Sequence, residues 1–342
     1  MAEIKLDTIA SVPAVNQYIR AANSYNVDYT PLLKEAGIDA AILTDNHKYV
    51  SGESMEVLLR LLVQASGDPC FGLHSSTFVE PSSYSVLGYI ALNCSTPRAI
   101  QAKIPIYEKL VGDMGVTSVE FKDGYALQRW QCMFRDDTAK RHEIENVLGS
   151  WVNYARNFLN FDACEKVWFE HAAPYNKELI SEYEKIFKCE VLFNQHASGL
   201  VLGEHLLDQA LPQANDVMLD VLLEFATAQL ADIDQCQSIS SRVTNLLRLM
   251  IRHRSPTSET IARKLGMSSR SLQRRLEEEG TQYRQLLSEL RLELALHYLR
   301  NTQLSLDSIS YELGYTEARS FYRSFKAWTG RTAGSYRRAS NT

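Results

Sequence analysis

The sequence predicts a multidomain protein, with an α+β N-terminal domain followed by an all-α C-terminal domain containing two helix-turn-helix modules. Three observations predict it. The chain has 342 residues, more than the roughly 100–200 of a typical single domain. Its charge is partitioned: from Ser240 onward there are 18 Lys and Arg against 9 Asp and Glu, a balance of +9, whereas the first 239 residues hold 18 and 32, a balance of −14. Strand-like runs stop near residue 210, and two short segments that resemble each other follow within the basic part.

Composition bounds the class. Apolar residues make up 45% and charged residues 23%, as in soluble globular proteins and unlike collagens, disordered chains or disulfide scaffolds. No run of about 18 apolar residues is present, so no membrane partner is expected. Met1 to Asp7 lacks a basic stretch followed by an apolar core, so no secretory signal is read and a cytoplasmic location is expected. Cys70, Cys94, Cys132, Cys164, Cys189 and Cys236 are never closer than 24 residues. That excludes CxxC and zinc-type pairs, and apolar neighbours point to small buried thiols. No metal or cofactor is expected.

Taken in order, Ser54–Gln64 has helical apolar spacing. Thr96-Pro97 opens a helix to about Leu110, interrupted by Pro105. Val116–Phe121 and Tyr125–Phe134 read as strands around a turn at Lys122-Asp123-Gly124. A helix over Val147–Leu159, a strand over Lys166–Phe169, a helix over Asn176–Phe187 and strands at Val191–Asn194 and Leu200–Leu202 follow. Leu211–Asn215 is a break and Asp216–Leu230 an apolar helix, either core of the first domain or a dimer helix. The polar stretch 231–238 is the expected linker between a domain over 1–230 and one over 239–342. Beyond it only helices are expected: Ile239–Arg252, Thr257–Leu265, Ser268–Glu278, Tyr283–Leu299, Leu306–Leu313 and Thr316–Trp328.

The repeat lies in the last hundred residues. Leu265–Leu276 and Leu313–Phe325 each read as a helix end, a turn at Gly266 or Gly314, an N-cap at Ser268 or Thr316, and a second helix. Projected at 100° per residue, Leu272 and Leu276 face inward while Arg270, Gln273 and Arg274 face outward. In the second copy Phe321 and Phe325 face inward while Arg319, Tyr322 and Arg323 face outward. An outward arginine stripe suits a major groove, where Arg bonds guanine O6/N7 and Gln bonds adenine N6/N7. Glu277 and Glu317 border these faces, either to accept from cytosine or to hold phosphate away.

At these residues the chain resembles the AraC/XylS family of bacterial transcription regulators. The match is carried by 259–268, 270–280, 291–295, Leu313-Gly-Tyr, 320–330 and Tyr336-Arg337. It implies two helix-turn-helix modules joined by a long helix, here about Tyr283–Leu299, and base-reading positions at Arg270, Gln273, Arg274, Ala318, Arg319, Tyr322 and Arg323. Ala333-Gly334 departs from the family's usual Pro before the final Tyr-Arg, which would loosen the last helix.

The region from about Ile19 to Leu211 is similar to the subgroup with an arabinose-binding-like effector domain. Ser66–Leu73, Leu87-Gly-Tyr89 and Phe169–Pro174 carry that similarity, with Tyr183, Phe187, Val191–Phe193 and Leu211–Asn215. The label does not imply arabinose, and effector-binding residues are not assigned. His171 is the tempting ligand contact, with a structural histidine bonding local backbone as the alternative. His196 and His205 lack metal spacing. Trp130, Phe134, Trp151, Tyr154, Phe158, Phe161, Trp168 and Phe169 are expected as core more than pocket lining. No GxSxG, P-loop or GxGxxG after a strand is present, so no enzyme is expected. The expected partners are double-stranded promoter DNA, a small-molecule effector, a second copy of the chain, and RNA polymerase if the protein activates. The alternative is a ligand-independent DNA-binding regulator whose N-terminal domain only mediates dimer or protein contacts.

Overall fold

A computed structural model describes residues 8–236, 238–251, 256–301 and 304–340. The chain divides into two compact units, with the division between Asp232 and Ile233.

The N-terminal unit opens with β1 (Ile9–Ser11) and α1 (Val12–Ser24), then α2 (Thr30–Glu35), β2 (Tyr49–Ser51), α3 (Gly52–Ser66), α4 (Phe71–Ser75), α5 (Ser85–Asn93) and α6 (Pro97–Tyr107). β3 (Gly115–Lys122), β4 (Tyr125–Cys132), α7 (Asp137–Phe158), β5 (Cys164–Trp168), α8 (Lys177–Phe187), β6 (Glu190–Leu192), β7 (Gly199–Gly203) and α9 (Asp216–Cys236) follow. β1 pairs with β2. The other strands form a sheet of order β3-β4-β7-β5-β6, in which only β5–β6 is parallel. The expected hairpin turn is real. Asp123 and Gly124 have φ of +52° and +81°, the Asp-Gly signature of a two-residue turn that matches strand twist. One continuous core runs from Ala10 to Leu211.

Helix α7 begins ten residues before the expected Val147, capped by the Asp136 carboxylate accepting from the Ala139 N–H. Its first turns bury His142, Glu143, Glu145 and Asn146, so the apolar periodicity that reveals helices is missing there. Helix α9 continues past Leu230 to Cys236; Ala231 to Cys236 is polar but contains no Gly or Pro to stop a helix. Cys70, Cys94 and Cys132 are buried as expected, but Cys164 and Cys189 are half-buried with their sulfurs 3.6 Å apart. The Cys236 side chain lies outside the described residues.

The C-terminal unit is helical: α10 (Ile239–Met250), α11 (Ser258–Lys264), α12 (Ser269–Glu278), α13 (Tyr283–Asn301), α14 (Leu306–Glu312), α15 (Ala318–Thr329) and α16 (Ala333–Ser340). Arg252, the expected end of α10, lies outside the described residues. A second core gathers Val243, Leu247, Ile261, Leu272, Leu276, Leu294, Ile309, Phe321 and Phe325. The absent proline does not prevent α16. Thr332 Oγ1 accepts from the Ser335 N–H at 3.2 Å, and Tyr336 packs edge-on against Phe325 with centroids 5.7 Å apart.

Candidate nucleic-acid interface and internal cavity

Each helix pair of the C-terminal unit is fixed by a left-handed glycine, a cap and a buried apolar seam. Gly266 and Gly314 have φ of +68° and +69°, where a Cβ is costly. Ser268 caps α12 by accepting from the Ser271 N–H at 3.2 Å. The second cap is not Thr316 but Glu317, which makes no side-chain cap bond. The reason is register. Leu272 and Phe321 are equivalent, 49 residues apart, and that offset carries Ser268 to 317, because the second turn is one residue longer. Leu272, Leu276, Phe321 and Phe325 are all buried.

Burying these seams fixes what faces outward. Arg270, Gln273, Arg274, Arg319, Tyr322 and Arg323 are exposed and Ala318 is half-buried. Several are held within the unit. Gln273 donates to Glu277 at 2.9 Å, Arg274 Nε lies 3.7 Å from Glu278 and Arg323 donates to Ser320 at 3.4 Å. Tyr322 donates to Asp307 at 2.6 Å, a bond that raises its phenol pKa. Part of each outward face is thus held by contacts within the unit. Helix α13 braces the second module. Arg291 donates to the carbonyls of Leu313 and Gly314 (3.0 and 3.2 Å), its guanidinium 4.0 Å from the Tyr315 ring centroid. Glu279 accepts the N–H groups of Ile239 and Ser240 (2.6 and 2.8 Å), capping α10.

The N-terminal unit holds a partly open cavity of ≈ 200 Å³. Its walls come from α1, α5, α6, β3, β4, α7 and β7, and are mainly apolar: Leu87, Ile100, Ile104, Trp130, Leu200 and Leu202 among others. Of the aromatic residues expected as core, Trp130, Trp151, Tyr154 and Phe161 line it; Phe134, Phe158, Trp168 and Phe169 do not. Few polar groups face in. Gln101 donates to Gln128 at 3.0 Å, while its own carbonyl oxygen is buried and accepts nothing. Glu143 accepts from the Tyr18 hydroxyl at 2.7 Å and Glu108 from the Thr117 N–H at 3.1 Å. Burial pushes both carboxyls up to about 7, against which each hydrogen bond works. Sequence reasoning missed Glu108, Glu143 and Gln101. The one available signal was two glutamates, Glu143 and Glu145, on opposite sides of one helix, so that at least one had to face inward.

His171 lies off the cavity. Its Nδ1 bonds the Ala172 carbonyl at 3.0 Å and its ring packs 4.8 Å from Phe169, centroid to centroid. Burial lowers its pKa. His196 packs against Trp168. Beside His171 lies Glu145, fully buried, which accepts from Arg141 at 2.7 Å and from the Tyr183 hydroxyl. Burial opposes its charge, but His142, His171 and Arg141 outweigh it and hold the carboxyl down to about 2. This network ties α7 to α8 and is structural.

The chain is similar to known proteins over most of its length. Residues 27–211 match the arabinose-binding domain of AraC transcription regulators, and residues 261–339 match a helix-turn-helix domain. The ornithine utilization regulator of Pseudomonas aeruginosa is 28% identical over 92% of each chain. An uncharacterized HTH-type transcriptional regulator of Mycobacterium tuberculosis is 26% identical over 96% of each. The crystal structure of the transcriptional regulator CdpR from Pseudomonas aeruginosa covers 94% of this chain and 98% of its own at 22% identity, with a TM-score of 0.45. Among the described residues, no helix is long and apolar enough to cross a membrane.

Proposed function

This chain belongs to the AraC family of transcription regulators, and from that membership we propose that it is a ligand-responsive activator. Its helix-turn-helix domain is the DNA-binding part. Arg270, Gln273 and Arg274 of α12, with Ala318, Arg319, Tyr322 and Arg323 of α15, read base edges in two major grooves of one promoter. One observation supports this most: both second helices bury their apolar pair and leave an arginine-bearing face to solvent. Arg and Gln there have the donor geometry that major-groove purines accept. Capture of genomic fragments by the full chain, followed by sequencing, tests it. A shared motif is expected, and recovery of random fragments overturns the reading.

The cavity is the effector site of the proposal. An apolar cavity with a few convergent polar groups is what small-molecule recognition requires. The effector favours one arrangement of the N-terminal unit and so shifts the population competent to bind DNA and recruit RNA polymerase. Screening the full chain for thermal stabilisation by metabolites tests this. Silence across a broad set, with promoter occupancy indifferent to all of them, leaves a ligand-independent regulator. One feature favours a dimerising role for the same unit. α9 exposes Val217, Met218, Val221 and Phe225, an apolar stripe suited to a second copy. Light scattering of Val221→Glu against the unmodified chain reads that directly.

A further inference from the structure

On the reading of the cavity as an effector site, we infer that its ligand is a small organic amine: an apolar body of benzene to indole size bearing one protonated nitrogen. Size follows from volume. A cavity of 150 Å³ holds benzene, and this one has ≈ 200 Å³. Charge follows from the walls. Among the described residues lining the cavity there is no Lys, Arg or His. Three carboxylates line it, and only Asp162 is neutralised, by Arg156 at 2.7 and 3.2 Å. Glu143 takes one protein donor, the Tyr18 hydroxyl, Glu108 takes its donors from Thr117 alone, and among the described residues neither has an ion-pair partner. The Gln101 carbonyl oxygen adds a third acceptor without a donor.

An unoccupied acceptor set selects for donors. An anionic ligand would meet two carboxyls and no cation. A hydrocarbon would desolvate the acceptors without supplying any further donor. An ammonium supplies up to three N–H donors and the missing charge. Buried ion pairs repay their desolvation only when the remaining lone pairs are satisfied. Here the Tyr18 hydroxyl and the Thr117 N–H already do part of that. Trp130, Tyr84 and Tyr154 contribute aromatic wall, a surface compatible with a cation. Burial raises both carboxyls, and a cation placed beside them favours their charged form.

Three probes of one shape test this on the full chain: 2-phenylethylamine, 2-phenylethanol and phenylacetate, followed by thermal shift and calorimetry. The amine is expected to bind about tenfold tighter than the alcohol, the increment of a charge-assisted bond, and the acid not to bind. Glu108→Gln or Glu143→Gln, at least one of them, should abolish that tenfold preference of amine over alcohol. Should the variants not fold, the order of affinity of the three probes on the unmodified chain still decides. The acid binding as tightly as the amine, both variants keeping the preference, or no probe binding at millimolar concentration each overturns the inference. A wider metabolite set separates the two failures. A neutral or anionic ligand there retires the amine and keeps the sensor, whereas silence retires both.

Discussion

An exposed guanidinium on α12 has two kinds of partner on DNA, a base edge or a phosphate, and they differ in what its loss does. Arg274, 3.7 Å from Glu278 in the free protein, lies on the face that reads bases in our proposal. Arg274→Ala should cost about 1–3 kcal/mol on the cognate site and far less on random duplex. Fluorescence anisotropy titrations on both duplexes check this, and equal losses would make the residue a phosphate contact. In the other unit, Glu143 makes a prediction of opposite character. Its carboxyl is raised by burial from 4.5 to about 7, so the folded state holds a proton that the unfolded chain releases. Its contribution is fully present below its ordinary value and is lost as pH rises through about 7. Thermal stability should therefore fall on that climb, and Glu143→Gln should flatten the slope. Glu108 titrates in the same window, so the single variant removes only part of it. A slope identical to that of the unmodified chain would show Glu143 to be charged throughout. The two sites were unequally legible. Arg274 follows from local periodicity in a dozen residues, whereas Glu108, Gln101 and Glu143 meet only when α6, the turn after it and α7 fold around one space.

Elements form where local chemistry and packing agree, and the exceptions are informative. The helix-turn-helix pairs were legible because glycine, cap and apolar seam recur at matched offsets. The second cap was misplaced because an inserted turn residue shifts the register by one. The first turns of α7 were invisible because their buried face is polar. Helix α9 outran its expected end because polarity alone was read as a linker. Glycines separate two kinds of constraint. At Gly266, with φ +68°, an added Cβ would meet nothing within 4 Å. Gly266→Ala should thus cost only the backbone term, about 1–2 kcal/mol, seen as faster hydrogen exchange in α11 and α12. At Gly72 a Cβ would come 2.1 Å from the His142 carbonyl oxygen. Gly72→Ala must push α4 off α7, with an overpacking cost of about 1–3 kcal/mol and faster exchange through α7. Exchange unchanged in α11 and α12 would mean that the first turn does not hold the geometry described.

The whole molecule divides its charge, +9 after residue 239 and −14 before it, and that partition was legible from counting alone. The acidic part repels a polyanion, so attraction is concentrated on the basic unit. Within that unit α13 has 19 residues, about 28 Å at 1.5 Å per residue. With its flanking turns it is comparable to the ~34 Å between successive major grooves on one side of B-DNA. Two modules docked at once neutralise several phosphates, and each releases counterions with a slope of about −0.9 in log affinity against log salt. Affinity of the full chain for its promoter should therefore fall steeply and linearly between low and moderate salt, and a flat response would contradict groove docking by the basic unit. The joint variant Arg319→Ala/Arg323→Ala refines this. If α15 reads bases, the salt slope is kept while sequence preference is lost over half the site and retained over the half that α12 reads. If the two arginines sit on phosphates, preference is kept and the slope becomes shallower by about two. Loss of all specific binding, rather than half, would mean that neither module holds DNA without the other, which makes the brace of Arg291 against the Leu313 and Gly314 carbonyls the element on which recognition turns.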